Sequence, residues 1–599
     1  MTALTPPLSR RSFLQTSGLA ALAAPLPRTA DPRPPFSLSD AQKARLRRAL
    51  EPYHRDYNPA VRMVSAPFSS PGYHTTLKGG TVHSTRTALI YAVALLDTGD
   101  EPLRQRACDI LDAVTALQDT DPDSKTYGIW SWFLEEPLAQ MAPPDWNWAD
   151  FCGTQLLQVA LDHRHRLPAD LAARVDAAIR HAAYSIKRRN VGPGYTNIAL
   201  MGTYVTTVAA ERYGFADLKD YAAQRLRRFY DYTKEQGSFT EYNSPTYSVV
   251  ALEELGRMRA HIQDPDARPL IDDLYRMVWE DIALHFHAPS RQWAGPHSRC
   301  YSTLLKPATL ALLQRGLAPD PGWGADEPNI TEQRLDLPCP PDLQPLFTRL
   351  DTPREVVKTY LKADPPVIGT TWLESAFTLG SVSRGDFWNQ RRGVLAYSGT
   401  PQAPASLHVR FLRDGYDFAA AQLFTAQRRG DLLAAVNLAT DGGNTHLHLD
   451  RIKDGRFSAA SLALRFEFGG SAAARAPAVP AATDAPASLD FGACRLSLAV
   501  PFCAFDGLTP VWQSGKDNDR AWLDLVLYAG DERAFDLTRL ASAALGFALR
   551  LTSAADAPAP QPRHTLADGR LALAWQDLRV AVPVRPDKVS TLQRAVAFT

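Results

Sequence analysis

The chain has 599 residues, which is too long for one ordinary hydrophobic core and predicts two domains. Its hydrophobic fraction of 45% and charged fraction of 22% are typical of globular proteins and argue against general disorder, collagen or a polytopic membrane protein. The 65 Lys and Arg residues balance 64 Asp and Glu residues, so a global attraction to nucleic acid is not expected, although a local basic cleft remains possible.

Residues 1–30 have the features of a twin-arginine export signal. Arg10 and Arg11 precede a short apolar stretch from Gly18 to Leu26, and Ala21–Ala23 supplies small residues suited to cleavage. The alternative is a disordered basic N-terminus with a chance arginine pair. The stretch is too short for a comfortable membrane span, and no later apolar run approaches the required length. We therefore expect a periplasmic or secreted protein whose mature chain does not cross a membrane.

Residues 39–318 repeatedly show the apolar period of amphipathic helices. Breaks rich in glycine and proline separate these segments and predict loops. We interpret this part as an α/α toroid or bundle, with functional loops at one end. The predicted helices are Thr87–Asp97, Arg104–Leu117, Trp148–His163, Pro168–Lys187, Thr203–Glu211, Ala216–Lys234, Val249–His261 and Ala267–His285.

The pattern changes in the second half of the chain. Residues 319–366 are rich in proline and aspartate and predict a linker, and residues 367–599 predict an antiparallel β-sandwich, which gives an α+β multidomain fold. The clearer strands are Leu407–Leu412, His446–Leu449, Leu462–Phe468, Cys494–Val500, Trp522–Tyr528 and Arg579–Val584.

No sequence motif indicates a cofactor. A P-loop, a dinucleotide fingerprint and a nucleophile elbow are all missing from the sequence, so we expect no cofactor and disfavour a serine hydrolase. His446 and His448 share one face of a predicted strand, but two ligands alone are a weak metal signal. Cys494 and Cys503 are compatible with one disulfide, and free buried thiols are the open alternative.

Five loop regions of the predicted toroid concentrate aromatic and polar residues at helix boundaries. They span residues 78–83, 145–148, 192–197, 237–247 and 293–301. Aromatic rings suit the apolar faces of sugars, and Asn, His, Arg and Glu suit hydroxyls and carboxylates, so the pattern favours a carbohydrate site. The candidate substrate contacts are Trp146, Trp148, Tyr195, Tyr242, Asn243 and Tyr301, with Arg391 from the second half.

These loops, on a toroid followed by a β-sandwich, resemble the heparinase II/III, alginate and chondroitin lyase group of polysaccharide lyases. The resemblance is architectural over most of the mature chain and loose at the level of motifs. It implies β-elimination on an anionic polysaccharide or oligosaccharide. Positioned donors neutralise the uronate carboxylate, a Tyr or His then removes the proton on C5, and the bond at C4 breaks.

The resemblance also implies roles for individual residues. Asn197 is the natural neutraliser of the carboxylate, and Tyr247, fifty residues later, is the natural catalytic tyrosine. His297 or His83 takes the second acid or base role, and Arg299 binds the carboxylate.

The sequence departs from the pattern of this group at two places. Asn197 is not followed by a histidine, and no histidine lies near Tyr247, so Tyr242 and Tyr301 remain rivals for the catalytic role. Structural alternatives also stay open, because Asn197 could cap its helix and Tyr247 could pack into the core.

Two other functions compete with the lyase. A glycoside hydrolase would use Glu241 as general acid, with a second carboxylate about 5–10 Å away. A non-catalytic glycan-binding protein would use tryptophan platforms without an acid–base set. The lyase is favoured because Asn, Tyr, His and Arg outnumber carboxylates in these loops. The candidate second carboxylates are Asp145, Asp150, Glu135 and Glu136, and the candidate platforms are Trp146, Trp148 and Trp293.

Overall fold

The computed structural model describes residue 33 and residues 36–444, 446, 452, 454–554 and 557–598. The predicted export signal, most of the predicted strand at 446–449 and His448 lie outside the described residues. Within the described part, no helix has the length and apolar character needed to cross a membrane.

Helices dominate the first half of the molecule. A π-helical segment, Val159–His163, continues α4. The helices are α1 Asp40–Asp56, α2 Thr85–Asp97, α3 Glu101–Thr115, α4 Trp148–Gln158, α5 Ala169–Arg189, α6 Thr196–Tyr213, α7 Ala216–Gln236, α8 Tyr247–His261, α9 Arg268–His285, α10 Pro307–Gly316, α11 Pro345–Thr348 and α12 Val589–Ala595.

Local sequence signals set several helix ends. The Ser84 side chain accepts a hydrogen bond from the Thr87 amide and caps α2. Asn190 ends α5 in the left-handed conformation, and Gly214 and Gly237 end α6 and α7 in the same way.

The helices alternate between an inner and an outer layer. In the inner layer α2 packs on α4, α4 on α6 and α6 on α8, while α3, α5, α7 and α9 pack outside them. Helix α6 is buried around most of its circumference, whereas α5 and α7 keep exposed charged faces. Because each outer helix returns the chain, the inner helices run in one direction and their N-terminal ends meet at one end of the toroid.

Hydrogen bonds connect these N-terminal ends. Trp148 at the start of α4 donates from Nε1 to the Thr85 hydroxyl at the start of α2 over 2.9 Å. Asn147 precedes α4 and Tyr195 precedes α6. The Nδ2 of Asn147 donates to the Tyr195 hydroxyl over 3.4 Å. The loops that the sequence marked as functional are therefore gathered at the N-terminal end of the toroid.

A buried arginine closes the opposite end. Arg334, from the segment that follows α10, donates to Asp97 at the end of α2 over 3.0 Å and to Asp162 over 2.7 Å. All three side chains are almost fully buried. The C-terminal ends of helices carry partial negative charge, so a cation is stabilised at this position.

The strands occupy mainly the second half. Three of them, β1 to β3, form a small sheet before α2 that the sequence did not predict. The strands are β1 Tyr57–Asn58, β2 Met63–Ser69, β3 Gly79–His83, β4 Phe286–His287, β5 Gln292–Trp293, β6 Arg354–Leu361, β7 Val367–Glu374, β8 Phe377–Val382, β9 Arg384–Asp386, β10 Val394–Thr400, β11 Ala403–Arg413, β12 Tyr416–Asp417, β13 Ala421–Arg428, β14 Asp431–Leu438, β15 Arg456–Gly470, β16 Ala487–Phe491, β17 Cys494–Phe505, β18 Val511–Lys516, β19 Arg520–Asp536, β20 Ala543–Thr552, β21 Arg563–Ala567, β22 Arg570–Trp575, β23 Leu578–Pro583 and β24 Ala597–Phe598.

Two antiparallel sheets form the predicted sandwich. One has the order β18-β19-β15-β11-β10-β8-β7-β6, with β12 beside β11, and the other has the order β16-β17-β20-β14-β13-β9. Alternate residues point into the shared core, as in the series Leu407, Val409 and Phe411 on β11. A third sheet, β21 to β24, packs on β13 and β14 through β23. The predicted fold class, a helical toroid followed by an antiparallel sandwich, is confirmed.

Two expectations for this half need correction. Strand β6 lies inside the range 319–366 that was predicted as a linker, and it forms the edge of the larger sheet. Cys494 and Cys503 lie nine residues apart on the single strand β17 and are free thiols. At about 3.3 Å per residue their Cα atoms are roughly 30 Å apart, far beyond the reach of a disulfide.

Candidate active site

Arg299 organises a cluster of polar side chains at the N-terminal ends of α6 and α8. Its Nη1 donates to Glu241 Oε1 over 3.1 Å, and its Nη2 donates to the Tyr247 hydroxyl over 2.8 Å. Its Nε donates to Gln390 Oε1 over 2.6 Å. Gln390 comes from the loop between β9 and β10, so the sandwich completes the cluster.

Two tyrosines meet on the open side of this cluster. The hydroxyls of Tyr247 and Tyr301 are 2.9 Å apart. Tyr301 is 52% exposed, so this part of the cluster faces solvent. The Arg299 guanidinium also lies over the Tyr247 ring, 4.4 Å from its centroid. Burial raises the pKa of Tyr247, and the positive charge of Arg299 opposes that shift.

Glu241 lies at the buried side of the same cluster. Its Oε2 accepts a hydrogen bond from the backbone N–H of Asn197, in the first turn of α6, over 3.0 Å. Burial raises the pKa of Glu241 to about 7, although Arg299 and the Asn197 amide act in the opposite direction. Asn197 is buried as well, and its Oδ1 has no hydrogen-bond partner among the described residues.

Aromatic rings extend the cluster along both halves of the molecule. Arg299 lies 4.8 Å from the ring centroid of Trp388, and Trp388 lies 4.7 Å from the ring of His446. The His446 ring also contacts Tyr73 of the first half, at 6.1 Å. Tyr73 then meets Trp132 edge to face at 6.2 Å. A continuous series of rings therefore connects the sandwich to the toroid beside Arg299.

The predicted substrate contacts in the toroid have different surroundings. Tyr195 is 39% exposed and immediately precedes α6. Trp148 stacks on Trp132 with 5.2 Å between ring centroids, so one face of the predicted platform is covered. Trp146 donates from Nε1 to the Lys125 carbonyl and is partly buried against the helical core.

Asn243 is not a substrate contact in this structure. It is 0% exposed, its amide nitrogen donates to the carbonyls of Ala294 and Pro296, and its Oδ1 accepts from Trp293 Nε1 over 2.6 Å. Its φ of 40° places it in the left-handed region, which asparagine tolerates. The physical role of Asn243 is to hold the loop that leads to Arg299.

Tyr242 and Arg391 also have structural partners. The Tyr242 ring stacks on Tyr360 of β6 with 3.9 Å between centroids and an angle of 5°. Arg391 forms an ion pair with Asp386 at 3.3 Å. Both contacts lie where the toroid meets the sandwich, so these two residues fix the loops around the cluster.

The two predicted catalytic histidines lie outside the Arg299 cluster. His297 is 1% exposed, and its Nδ1 lies 2.5 Å from the Asn243 carbonyl. Burial lowers the pKa of His297 to about 3, so the ring is neutral and a poor proton acceptor. The prediction of an acid or base role for His297 therefore does not fit its surroundings. His83 lies at the end of β3, where its Nδ1 is 2.5 Å from Glu135 Oε1 and its Nε2 is 3.4 Å from Asn58.

Of the carboxylates considered as partners of Glu241, three are hydrogen-bonded to other groups and Asp150 is buried with its Oδ1 unpaired among the described residues. Asp145 accepts from Trp132 Nε1, and Glu136 accepts from the amide and hydroxyl of Thr76. Asp150 belongs to the first turn of α4, where burial raises its pKa to about 7. Within the described part of the chain, no group of three or more His, Cys, Asp or Glu side chains could hold a metal ion.

Sequence reasoning missed Tyr73 and Trp132 as neighbours of the site. The run from Trp130 to Phe133 is rich in aromatic residues and was the available signal. Their association with Trp388 depends on packing between the two halves, which no local pattern encodes.

The fold and the cluster together define a protein with a helical toroid, a β-sandwich and a tyrosine–arginine–glutamate site at the toroid end. Residues 61–315 match a family model described as Domain of unknown function (DUF8769). No curated protein matches the chain in sequence.

Several solved structures match most of the chain in a structural comparison. A crystal structure of heparinase III is 10% identical, with a TM-score of 0.48 over 93% of this chain and 94% of that chain. A heparan sulfate lyase HepC mutant from Pedobacter heparinus is 10% identical, with a TM-score of 0.33 over 93% and 91%. The endoglucanase CelQ from Clostridium thermocellum, complexed with cellotriose, is 9% identical, with a TM-score of 0.25 over 85% and 83%.

Proposed function

We propose that this protein is an exported polysaccharide lyase that cleaves uronate-containing chains by β-elimination, with Tyr247 as the base. The observation that carries the proposal is the 2.8 Å hydrogen bond from Arg299 to the Tyr247 hydroxyl. A guanidinium only donates, so this contact stabilises the phenolate form that a base requires. Tyr247 is also the first residue of α8, where the partial positive charge of the helix end acts in the same direction.

An anionic sugar suits the electrostatics of the site. The N-terminal ends of α6 and α8 converge there, and helix N-terminal ends favour anions. With the pKa of Glu241 near 7, protonation of this carboxyl in neutral or mildly acidic solution removes the Glu241 counter-charge from Arg299. A substrate carboxylate placed near Asn197 then takes the place of that counter-charge, and its neutralisation acidifies the proton on C5.

The surrounding rings support a saccharide rather than a small acid. Tyr195 and Tyr301 are exposed beside the cluster, and Tyr73 is partly exposed. Trp388 is buried against Arg299. Partly exposed rings beside a few convergent polar groups are typical of sites that bind pyranose faces.

A second candidate function is glycoside hydrolysis with Glu241 as general acid. A carboxyl with a pKa of about 7 is partly protonated at neutral pH, as such an acid requires. Asp145, Glu135 and Glu136 are hydrogen-bonded to other groups, and Asp150 is buried, so the lyase has the better-formed set of groups.

Absorbance of the conjugated double bond left by β-elimination tests the proposal. The mature protein is incubated with alginate, glucuronan, heparan and chondroitin, and we expect absorbance to rise with one of these uronate polymers. Tyr247→Phe and Asn197→Ala should abolish the rise. Tyr416→Phe is the matched control, because Tyr416 is 81% exposed on β12 of the sandwich.

Two results contradict the lyase. Release of reducing sugar without the absorbance, abolished by Glu241→Gln, identifies a hydrolase. An absorbance increase that survives in Tyr247→Phe rejects Tyr247 as the base.

A further inference from the structure

The Tyr247 hydroxyl has two contacts of different character. Arg299 Nη2 has no lone pair to offer, so in this contact the Tyr247 oxygen can only accept. Its second contact is the Tyr301 hydroxyl at 2.9 Å, which can both donate and accept. Any proton on Tyr247 therefore has Tyr301 as its partner within the cluster.

Tyr301 differs from Tyr247 in its exposure. Tyr301 is 52% exposed on the open side of the cluster, whereas Tyr247 is partly covered by the Arg299 guanidinium. Arg299 Nη2 is 3.4 Å from the Tyr301 hydroxyl, a weaker contact than its 2.8 Å bond to Tyr247. Arg299 therefore holds the Tyr247 hydroxyl more closely, and the Tyr301 hydroxyl is the one that a substrate oxygen can approach from solvent.

We propose that Tyr301 is the general acid, which protonates the leaving oxygen at C4 while Tyr247 takes the proton from C5. The inference rests on the proposed lyase function and assigns the second half of its reaction. C4 and C5 are adjacent ring atoms, so their reacting proton and oxygen lie close together, as the two hydroxyls do.

The proton transfers of the reaction balance within the tyrosine pair. In the active form the pair shares one proton, with the negative charge on Tyr247 beside Arg299. The Tyr247 oxygen takes H5, the C5–H electron pair forms the C4–C5 double bond, and the C4–O4 bond breaks. O4 receives the proton of Tyr301. Transfer of the new Tyr247 proton to Tyr301 across the 2.9 Å contact restores the starting form.

A substrate that needs no acid tests this assignment. Two uronates are compared, one with a sugar at O4 and one with a 4-nitrophenyl ether at C4, whose leaving group departs without protonation. General acid catalysis typically contributes about 10²–10⁴-fold. We therefore expect Tyr301→Phe to lower kcat on the sugar substrate by at least about 100-fold and on the aryl ether by less than about threefold. Tyr247→Phe should be inactive on both, because the base is missing.

The outcomes separate the two proposals. Equal losses on both substrates, or full activity on the sugar substrate, overturn the role of Tyr301 and leave the lyase standing. If the wild-type protein forms no unsaturated product from either substrate, the lyase function and the role of Tyr301 are both overturned. Because Tyr301 is exposed, the Phe variant should keep the wild-type melting temperature, so a loss of activity reports chemistry and not unfolding.

Discussion

Arg299 Nη1 lies 3.1 Å from Glu241 Oε1, so the guanidinium that holds Tyr247 is also paired with a buried carboxyl group. The charge at the site therefore depends on the protonation of Glu241. While Tyr247 and Tyr301 both hold their protons, the cluster carries the full charge of Arg299 when Glu241 is neutral, and that charge is balanced when Glu241 is ionised. This relationship couples the affinity for an anionic substrate to pH.

Glu241 should make the protein less stable as the pH rises. Burial raises its folded pKa from 4.5 to about 7, so between these values the folded state binds more protons than the unfolded state. Stability from this group is thus complete below about pH 4.5 and is lost up to about pH 7, by roughly 3 kcal/mol at most. Urea unfolding of wild type and Glu241→Gln at pH 5 to 8 measures how the free energy of unfolding of each protein changes with pH. Parallel pH profiles for the two proteins would contradict the assignment.

Arg299→Lys should lower kcat although the charge is retained. Lysine cannot reach Glu241, Tyr247 and Gln390 with one planar group, so the Tyr247 phenolate loses its positioned donor. Loss of one such donor costs about 10²–10³-fold in kcat. Steady-state kinetics on the uronate substrate measures this effect, with Arg349→Lys as the control, because the Arg349 side chain is 66% exposed. Unchanged kcat in Arg299→Lys would remove Arg299 from the mechanism.

Asn197 and Asn243 should respond differently to substitution by alanine. Asn243→Ala leaves the Trp293 N–H and two buried carbonyls without partners, and we expect a loss of stability of about 1–3 kcal/mol. Asn197→Ala should leave the melting temperature nearly unchanged, because the contact to Glu241 comes from its backbone amide, while activity falls. Thermal unfolding and initial rates on the same samples distinguish the two. If Asn243→Ala were stable but inactive, Asn243 would have a direct role in the active site and the structural role assigned above would be wrong.

Arg334→Met should destabilise the toroid without any direct effect on the chemistry. It removes the buried cation shared by Asp97 and Asp162, and breaking such a buried pair costs about 3–5 kcal/mol. Asp97 keeps its contact to His163, and Asp162 keeps the more distant Arg33. The control is Arg48→Met, whose partner Asp326 is exposed, where the cost should be below about 1 kcal/mol. Chemical denaturation measures both variants. If Arg334→Met lowers the free energy of unfolding no more than Arg48→Met does, groups other than Arg334 hold this end of the toroid together.

The sequence by itself determined the helical toroid and the antiparallel sandwich, because helical and strand periodicities are local properties of neighbouring residues. Ser84, Gly214 and Gly237 set helix ends through contacts within a few residues. Polar residues in the loops before α6 and α8 also indicated where a site could form.

Only the tertiary structure decided which of those residues meet. His297 and Arg299 are two positions apart in one loop, yet His297 is buried against the Asn243 carbonyl while Arg299 joins Glu241, Tyr247 and Gln390. The sequence predicts a site role for both residues, because nothing local separates them. Their partners lie more than fifty positions away along the chain, and Gln390 belongs to the other half of the molecule. Long-range packing between the toroid and the sandwich selects which side chain is buried, and residue spacing carries no record of that packing.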